Sequence, residues 1–218
     1  MGICDLITKK EVSIKEAIDF LIRGASFPSD ELDSSYHYIY QKGDPKLIGP
    51  PLYPKYFMPP IGWTAIALKV SKKYDNGDDK WIGNSSLNGE WYIGYHGVKT
   101  MNSIKEIYEK GFRIGPRQYC KENINTNPLT KSLYPECGEG VYFAQSIDDA
   151  KEYCQTITYG GYKYLVVFMV RINPDRVRIV NRIQNKDYMI VNGDKMDDNF
   201  GTSKIDEVRP YKILLKKE

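Results

Sequence analysis

The sequence predicts an α+β domain with a largely antiparallel sheet, and three observations carry that prediction. Helical periodicity is confined to short segments, near residues 11–25, 104–110 and 147–155. Strand-like runs dominate from residue 63 onward. After residue 162 they follow one another with little between them but turns, the order expected of an antiparallel core. A chain of 218 residues is long enough for one sizeable core plus a short annex. The expected division is an N-terminal helix and Pro/Tyr-rich arm over residues 1–62, packed on a main domain over 63–218.

Each element has a local reason. Ser13 and Glu16 form a capping-box pattern, and Ile14, Ala17, Ile18, Leu21 and Ile22 share one helical face. Between residues 25 and 60, seven prolines exclude long regular elements, while Tyr36, Tyr38, Tyr40, Tyr53, Tyr56 and Phe57 supply anchors. That pattern reads as an arm laid over a folded body, since a flexible linker carries fewer large aromatics. Residues 63–70 read as a strand, and the Asn76, Gly77, Asp78, Asp79 run after it as a solvated turn. It lacks the twelve-residue spacing of a calcium loop. Residues 91–96 form a second strand. A helix over 104–110 follows, capped by Asn102 or by Ser103 paired with Glu106, and Gly111 stops it. Residues 112–137 show little periodicity, and a loop that long suggests a binding loop or lid. Then come a strand (141–144), a helix over 147–155 with Ser146 as N-cap, and strands over 162–172, 176–180, 187–191 and 211–216.

Composition narrows the function. Net charge is +3 with the signs interspersed, and the basic run at residues 212–217 is interrupted by Ile213, Leu214 and Leu215. That is a strand with charged ends, and it argues against a nucleic-acid footprint. Cys4, Cys120, Cys137 and Cys154 are scattered, without C-x-x-C spacing or a nearby histidine pair, so no metal site is expected. No signal peptide and no membrane-length apolar run is present, which predicts a reduced, intracellular protein, cytoplasmic or nuclear, without a membrane partner. Eighteen tyrosines suit pockets in which one end of the ring stays wet.

Two segments concentrate the chemistry. An aromatic strand ends at His96-Gly97. A glycine-flanked strand, Val141-Tyr142-Phe143-Ala144, leads into a helix that carries Tyr153. Together they suggest a slot for a flat, charged aromatic ring with an imidazole at its mouth.

In this order and spacing the segments resemble the ADP-ribosyltransferase family, in the branch of poly(ADP-ribose) polymerase catalytic domains and their mono-ADP-ribosylating relatives. Tyr95-His96-Gly97 is similar to that family's His-Gly strand end. The helix ending at Gly111 with Arg113 beyond it, the Tyr142-Phe143-Ala144 strand, Tyr153 on its helix and the strand opened by Asp187 resemble the pieces that follow. The likeness covers residues 91–216 and implies a split antiparallel sheet. It also implies NAD as co-substrate, with His96 donating a hydrogen bond to a ribose hydroxyl and the Gly97 backbone pairing with the carboxamide. Tyr142 and Tyr153 would sandwich the nicotinamide, and Arg113 with the long loop would cover the adenosine and pyrophosphate half. The family's catalytic glutamate falls on Asp187, one methylene shorter, and Glu207 is a second candidate for the carboxylate. The family's nicotinamide-contacting serine falls on Ala150. The implied activity is transfer of a single ADP-ribose unit, to a protein acceptor rather than a nucleic acid. The alternative is a catalytically silent module that uses the same fold to bind a nucleotide or a protein.

Overall fold

Ser13 accepts the Glu16 N–H on its hydroxyl at 3.2 Å, which caps helix α1 (Ile14–Asp19). The computed structural model describes residues 11–114, 140–183, 186–191, 201–202 and 205–218, with backbone alone at 114, 180–183, 186–187 and 201–202. One π-helical turn, Phe20–Gly24, continues α1. The Glu16 carboxylate does not reach back to complete a capping box. It accepts from the Tyr164 hydroxyl and pairs with Lys217 at 2.8 Å, which fastens α1 to the sheet. Asp19 accepts from the Tyr159 hydroxyl at 2.8 Å, and Phe20 packs against the rings of Tyr159 and Tyr164 at 5.5 and 5.0 Å.

The arm that follows contributes β1 (Tyr38–Ile39) and a small separate hairpin, β2 (Lys46–Ile48) with β3 (Lys55–Phe57). Strand β1 pairs with β4 (Thr64–Ala67), so the arm adds an edge to the main sheet. Buried residues from Val12 to Leu215 form one hydrophobic cluster, and it runs across residue 62 without interruption. The remaining strands are β5 (Tyr92–Gly97), β6 (Arg113–Ile114), β7 (Val141–Ala144), β8 (Ile157–Tyr159), β9 (Tyr162–Ile172), β10 (Val177–Ile183), β11 (Lys186–Val191), β12 (Gly201–Thr202) and β13 (Val208–Lys217). Two further helices are α2 (Met101–Lys110) and α3 (Ile147–Lys151).

The main sheet runs β1-β4-β13-β9-β5-β7-β11-β10, with β8 on β9, and every pairing is antiparallel. The α+β, mostly antiparallel architecture expected from the sequence is therefore what forms. One residue pair, Tyr95↔Ala144, joins β5 to β7, whereas β5 and β9 pair over six residues. The sheet consequently opens between a larger half ending at β5 and a smaller half beginning at β7. Strand β9 is the spine of the larger half, and Val166, Val167, Phe168, Val170 and Ile172 along it are fully buried. A strand buried on both faces reads as a continuous apolar run, which is why residues 165–170 show no alternation.

Local chemistry adjusts several sequence expectations. Thr100 caps α2 by accepting the Ser103 N–H at 3.2 Å, so Ser103 sits inside the helix and Glu106 is not part of a capping box. Ser146 caps α3 as expected, but that helix ends at Lys151 instead of continuing to 155. In the polar turn, Asp79 accepts from Ser71 and the Lys72 N–H, and Asp78 accepts from the Lys80 N–H. Asp75 pairs with Arg209. Those carboxylates are engaged in closing and anchoring the turn. Among the described residues, no cluster of three or more His, Cys, Asp or Glu could hold a metal, and no helix is long and apolar enough to cross a membrane. Cys4, Cys120, Cys137 and most of the expected 112–137 loop lie outside the described residues.

Phe20 is fully buried where the N-terminal helix meets the β8–β9 hairpin. Phe20→Ala is expected to cost about 3–5 kcal/mol, the range for emptying a buried aromatic site. Urea unfolding should show a lower midpoint with unchanged steepness; an unchanged midpoint would mean that α1 docks without supporting the fold.

Candidate functional site

Where the sheet opens beyond Tyr95↔Ala144, the ends of β5 and β7, helix α2, the α3 segment and β11 enclose a cavity of about 260 Å³. His96, Gly97, Arg113, Tyr142 and Tyr153 all line it, so five of the residues singled out from sequence converge in space.

Strand register fixes the part Gly97 can play. The Val98 N–H donates to the Val166 carbonyl at 2.9 Å, which makes Gly97↔Val167 a non-hydrogen-bonded pair of the antiparallel ladder. The Gly97 N–H and C=O therefore point away from β9, toward the side on which β7 has already diverged. An amide there meets one donor and one acceptor set side by side on an extended backbone. Position 97 requires glycine for a packing reason. A methyl group at position 97 would stand 2.6 Å from the Ala150 carbonyl oxygen and 2.9 Å from the Cys154 nitrogen. It is the packing of the α3 segment on β5, rather than ligand approach, that excludes a side chain.

His96 is half-buried, held between Phe112 at 4.9 Å and Phe143 at 5.6 Å. Its Nδ1 lies 3.1 Å from the Tyr142 carbonyl oxygen. A carbonyl only accepts, so Nδ1 carries the hydrogen and Nε2 is left with a lone pair. Burial lowers the imidazole pKa to about 4, against a smaller opposing effect of the Tyr142 carbonyl, and Lys99 lowers it further. A neutral His96 in this tautomer accepts a hydrogen bond at Nε2. The expected donation to a ribose hydroxyl is thus reversed, because the donor hydrogen is held by Tyr142.

A third tyrosine completes the wall. Tyr188 of β11 is buried, and the rings of Tyr142 and Tyr153 stand edge-on to it, each 6.3 Å away with planes at 74° and 79°. The Tyr153 and Tyr188 hydroxyls meet at 2.5 Å. Sequence reasoning passed over Tyr188 because attention fell on the carboxylate before it. The missing signal is register: Tyr188 pairs with Ala144 and Ile190 with Tyr142, which places Tyr142 and Tyr188 diagonally on one face.

Among the described residues the carboxylate lining the cavity is Glu106 of α2, which pairs with Arg113 at 3.7 Å across the mouth. Both side chains are about half exposed, so this pair contributes little to stability. Ala150 is buried and its surface reaches the cavity floor, where a hydroxyl would otherwise be available. Glu207 is not brought to the site. Its carbonyl accepts from the Asn173 N–H beyond the end of β9, whereas His96 pairs with Phe168. Five residues of strand separate those positions, about 16 Å. Asp187 lies in β11 next to Tyr188, and its side chain is outside the described residues.

No family model and no curated sequence matches this chain. The site therefore stands on its geometry: a strand-end amide turned away from β9, a neutral imidazole acceptor and three phenol rings around one small cavity.

The folded pKa of His96 lies below the ordinary histidine value of 6.5, so its neutral form contributes stability in full above that value. The contribution is lost as pH falls from 6.5 toward 4, the window in which only the unfolded chain binds the proton. NMR titration of the His96 ring is expected to show no change between about pH 8 and 5, with a midpoint near 4. A midpoint near 6.5 would mean that the ring is not enclosed as described.

Proposed function

We propose that this chain is an NAD-dependent ADP-ribosyltransferase that transfers one ADP-ribose unit to an acceptor, favouring protein. The observation that carries the reading is the convergence of His96, the Gly97 backbone, Tyr142 and Tyr153 on one cavity. Its volume, about 260 Å³, suits the nicotinamide and ribose end of the dinucleotide, below the size usual for a whole drug-sized ligand.

Each group has a role set by its chemistry. The Gly97 N–H donates to the carboxamide oxygen, and its carbonyl accepts from the amide NH₂. His96 accepts at Nε2 from a ribose hydroxyl. Tyr142 and Tyr153 flank the cationic ring, each contributing about 0.5–2 kcal/mol of cation–π attraction. That attraction favours the ground state, because the positive charge leaves the ring as the bond breaks. Stacking accordingly lowers the dissociation constant more than the barrier. The bond between the nicotinamide nitrogen and ribose C1′ breaks with both electrons going to nitrogen, which becomes neutral. C1′ acquires oxocarbenium character, an acceptor nucleophile bonds to it, and the acceptor's proton passes to a base.

A carboxylate near C1′ stabilises the developing charge, as in glycosidases. In this reading Asp187, on which the resemblance places the family's glutamate, supplies it, and Glu207 belongs to the far end of the strands. The alternative, a binding module without chemistry, draws on Ala150, whose methyl group offers the carboxamide no hydrogen bond.

Chromatographic detection of nicotinamide released from NAD tests the proposal, and His96→Ala is expected to abolish release. Asp187→Asn should lower the rate about 10²-fold, the cost of misplacing a reacting group, while Glu207→Gln leaves it unchanged. NAD binding without nicotinamide release in the wild type would leave the binding module; neither binding nor release would remove both readings.

A further inference from the structure

A second cavity, about 540 Å³, lies on the opposite face of the larger half of the sheet. Alternation along the strands separates the two: His96 and Phe168 point to one face, whereas Ile93, Met169 and Arg171 line this second cavity. The N-terminal arm forms its other wall through Tyr40, Lys46 and Phe57. A register shift in β13 sharpens it. Pro210 pairs with Val170 and Lys212 with the next residue, Met169, so Tyr211 is the extra residue of a β-bulge. The bulge brings two consecutive side chains, Tyr211 and Lys212, to the same cavity, where regular alternation would send one of them away.

We propose that this cavity is a second binding site, for a small aromatic anion: one planar ring carrying a phosphate or a carboxylate, the anionic group on Lys212 and Arg171 and the ring among Tyr40, Tyr211 and Phe57.

The charge arrangement carries the proposal. Arg171 is 2% exposed and donates to three carbonyls, those of Trp91 at 2.8 Å, Ile82 at 2.9 Å and Gly83 at 2.6 Å. Among the described residues its Nε has no hydrogen-bond partner, while the Tyr211 side chain acts on the same guanidinium. The Lys212 amine has the Tyr40 hydroxyl at 3.4 Å, a long contact, and stands 5.6 and 6.0 Å from the ring centres of Tyr40 and Tyr211. Burial first, then Arg171 and Lys46, lower its pKa to about 8. Asp33 and Asp79 also line the cavity and Glu90 acts on Arg171 through its charge, but each carboxylate is directed at neutral donors of its own loop. Asp33 accepts from the Ser35 N–H, Asp79 from Ser71 and the Lys72 N–H, and Glu90 from the N–H groups of Ser85, Ser86 and Leu87. A buried guanidinium and a half-buried amine share one space, and among the described residues neither forms an ion pair, so a bound anion offsets the cost of holding both charges there. The carbonyl contacts of Arg171 alone would be a structural stitch, but they give no account of Lys212, the bulge or the open volume. That volume lies within the range usual for small-molecule sites, about 300–1,000 Å³.

Calorimetric titration of the full chain with phenyl phosphate, benzoate and inorganic phosphate tests this. At least one aromatic probe should bind at least about tenfold more tightly than inorganic phosphate. Which of the two binds better distinguishes a phosphate-bearing from a carboxylate-bearing ligand. Lys212→Met should weaken that binding about tenfold or more, Lys46→Gln severalfold, and His96→Ala should leave it unchanged. In the wild type the same probe should slow amine modification of Lys212, read by mass spectrometry, without slowing that of exposed Lys72; this readout serves even if Lys212→Met does not fold. The proposal is overturned if neither aromatic probe binds, if inorganic phosphate binds as tightly, or if neither Lys212→Met nor modification at Lys212 responds. Failure here leaves the NAD reading untouched, because His96 faces the other side of the sheet.

Discussion

The pairing of β5 with β9 is the constraint on which the rest depends. It runs over six residues, from Tyr92↔Ile172 to Gly97↔Val167, and then stops as β5 ends. Its phase decides that the Gly97 amide and carbonyl turn outward. The same phase puts Phe168 on the His96 side and Arg171 on the other. A slip of β5 by one residue on β9 would move its side chains to the other face. The imidazole would then stand over the arm, on the same side as the buried guanidinium. Two chemically distinct hollows thus follow from a single register.

The burial that holds this register also tunes the groups in it. Enclosure, with help from Lys99, keeps the His96 imidazole neutral, while desolvation and neighbouring cations make the Lys212 amine easier to deprotonate. Both shifts have the same first cause, loss of water around a charged form. Directly across the strand pair from Arg171, a different solution serves Arg209. It is buried beneath the rings of Tyr74, Trp81 and Trp91, with its centre 4.7, 5.0 and 4.2 Å from theirs, and it is ion-paired with Asp75. Two neighbouring buried cations are thus held differently, Arg209 by a carboxylate and aromatic rings and Arg171 by backbone carbonyls.

Much of this was legible in the sequence where local signals are strong. The eleven-residue run of β9 stands where its apolar stretch placed it, and Ser13 and Ser146 cap the helices they precede. His96, Gly97, Tyr142 and Tyr153 share a cavity because their segments carry aromatic residues beside glycines that permit close packing. What escaped was non-local. Thr100 displaced Ser103 as cap, since either hydroxyl satisfies the local pattern and tertiary packing chooses. Tyr188 depends on the β7–β11 register, which no single strand reveals. The second cavity needs a bulge between Pro210 and Lys212, and in the linear chain those residues read as an ordinary basic strand. Glu207 looked equivalent to Asp187 in sequence, and only the length of β9 separates it from the cleft.

The abundance of tyrosine has a consequence for how the N-terminal segment is held. Three phenols, Tyr108, Tyr159 and Tyr164, donate to Glu31, Asp19 and Glu16 and tie residues 16–31 to the body of the fold. A neutral donor on a carboxylate has no second charge for dissolved ions to screen. Such fastenings hold at ionic strengths that loosen surface ion pairs. Accepting carboxylates and desolvation keep these phenols protonated beyond their ordinary range. These phenol fastenings, unlike the Lys217–Glu16 and Lys73–Glu31 ion pairs beside them, are indifferent to brine and vulnerable to strong alkali.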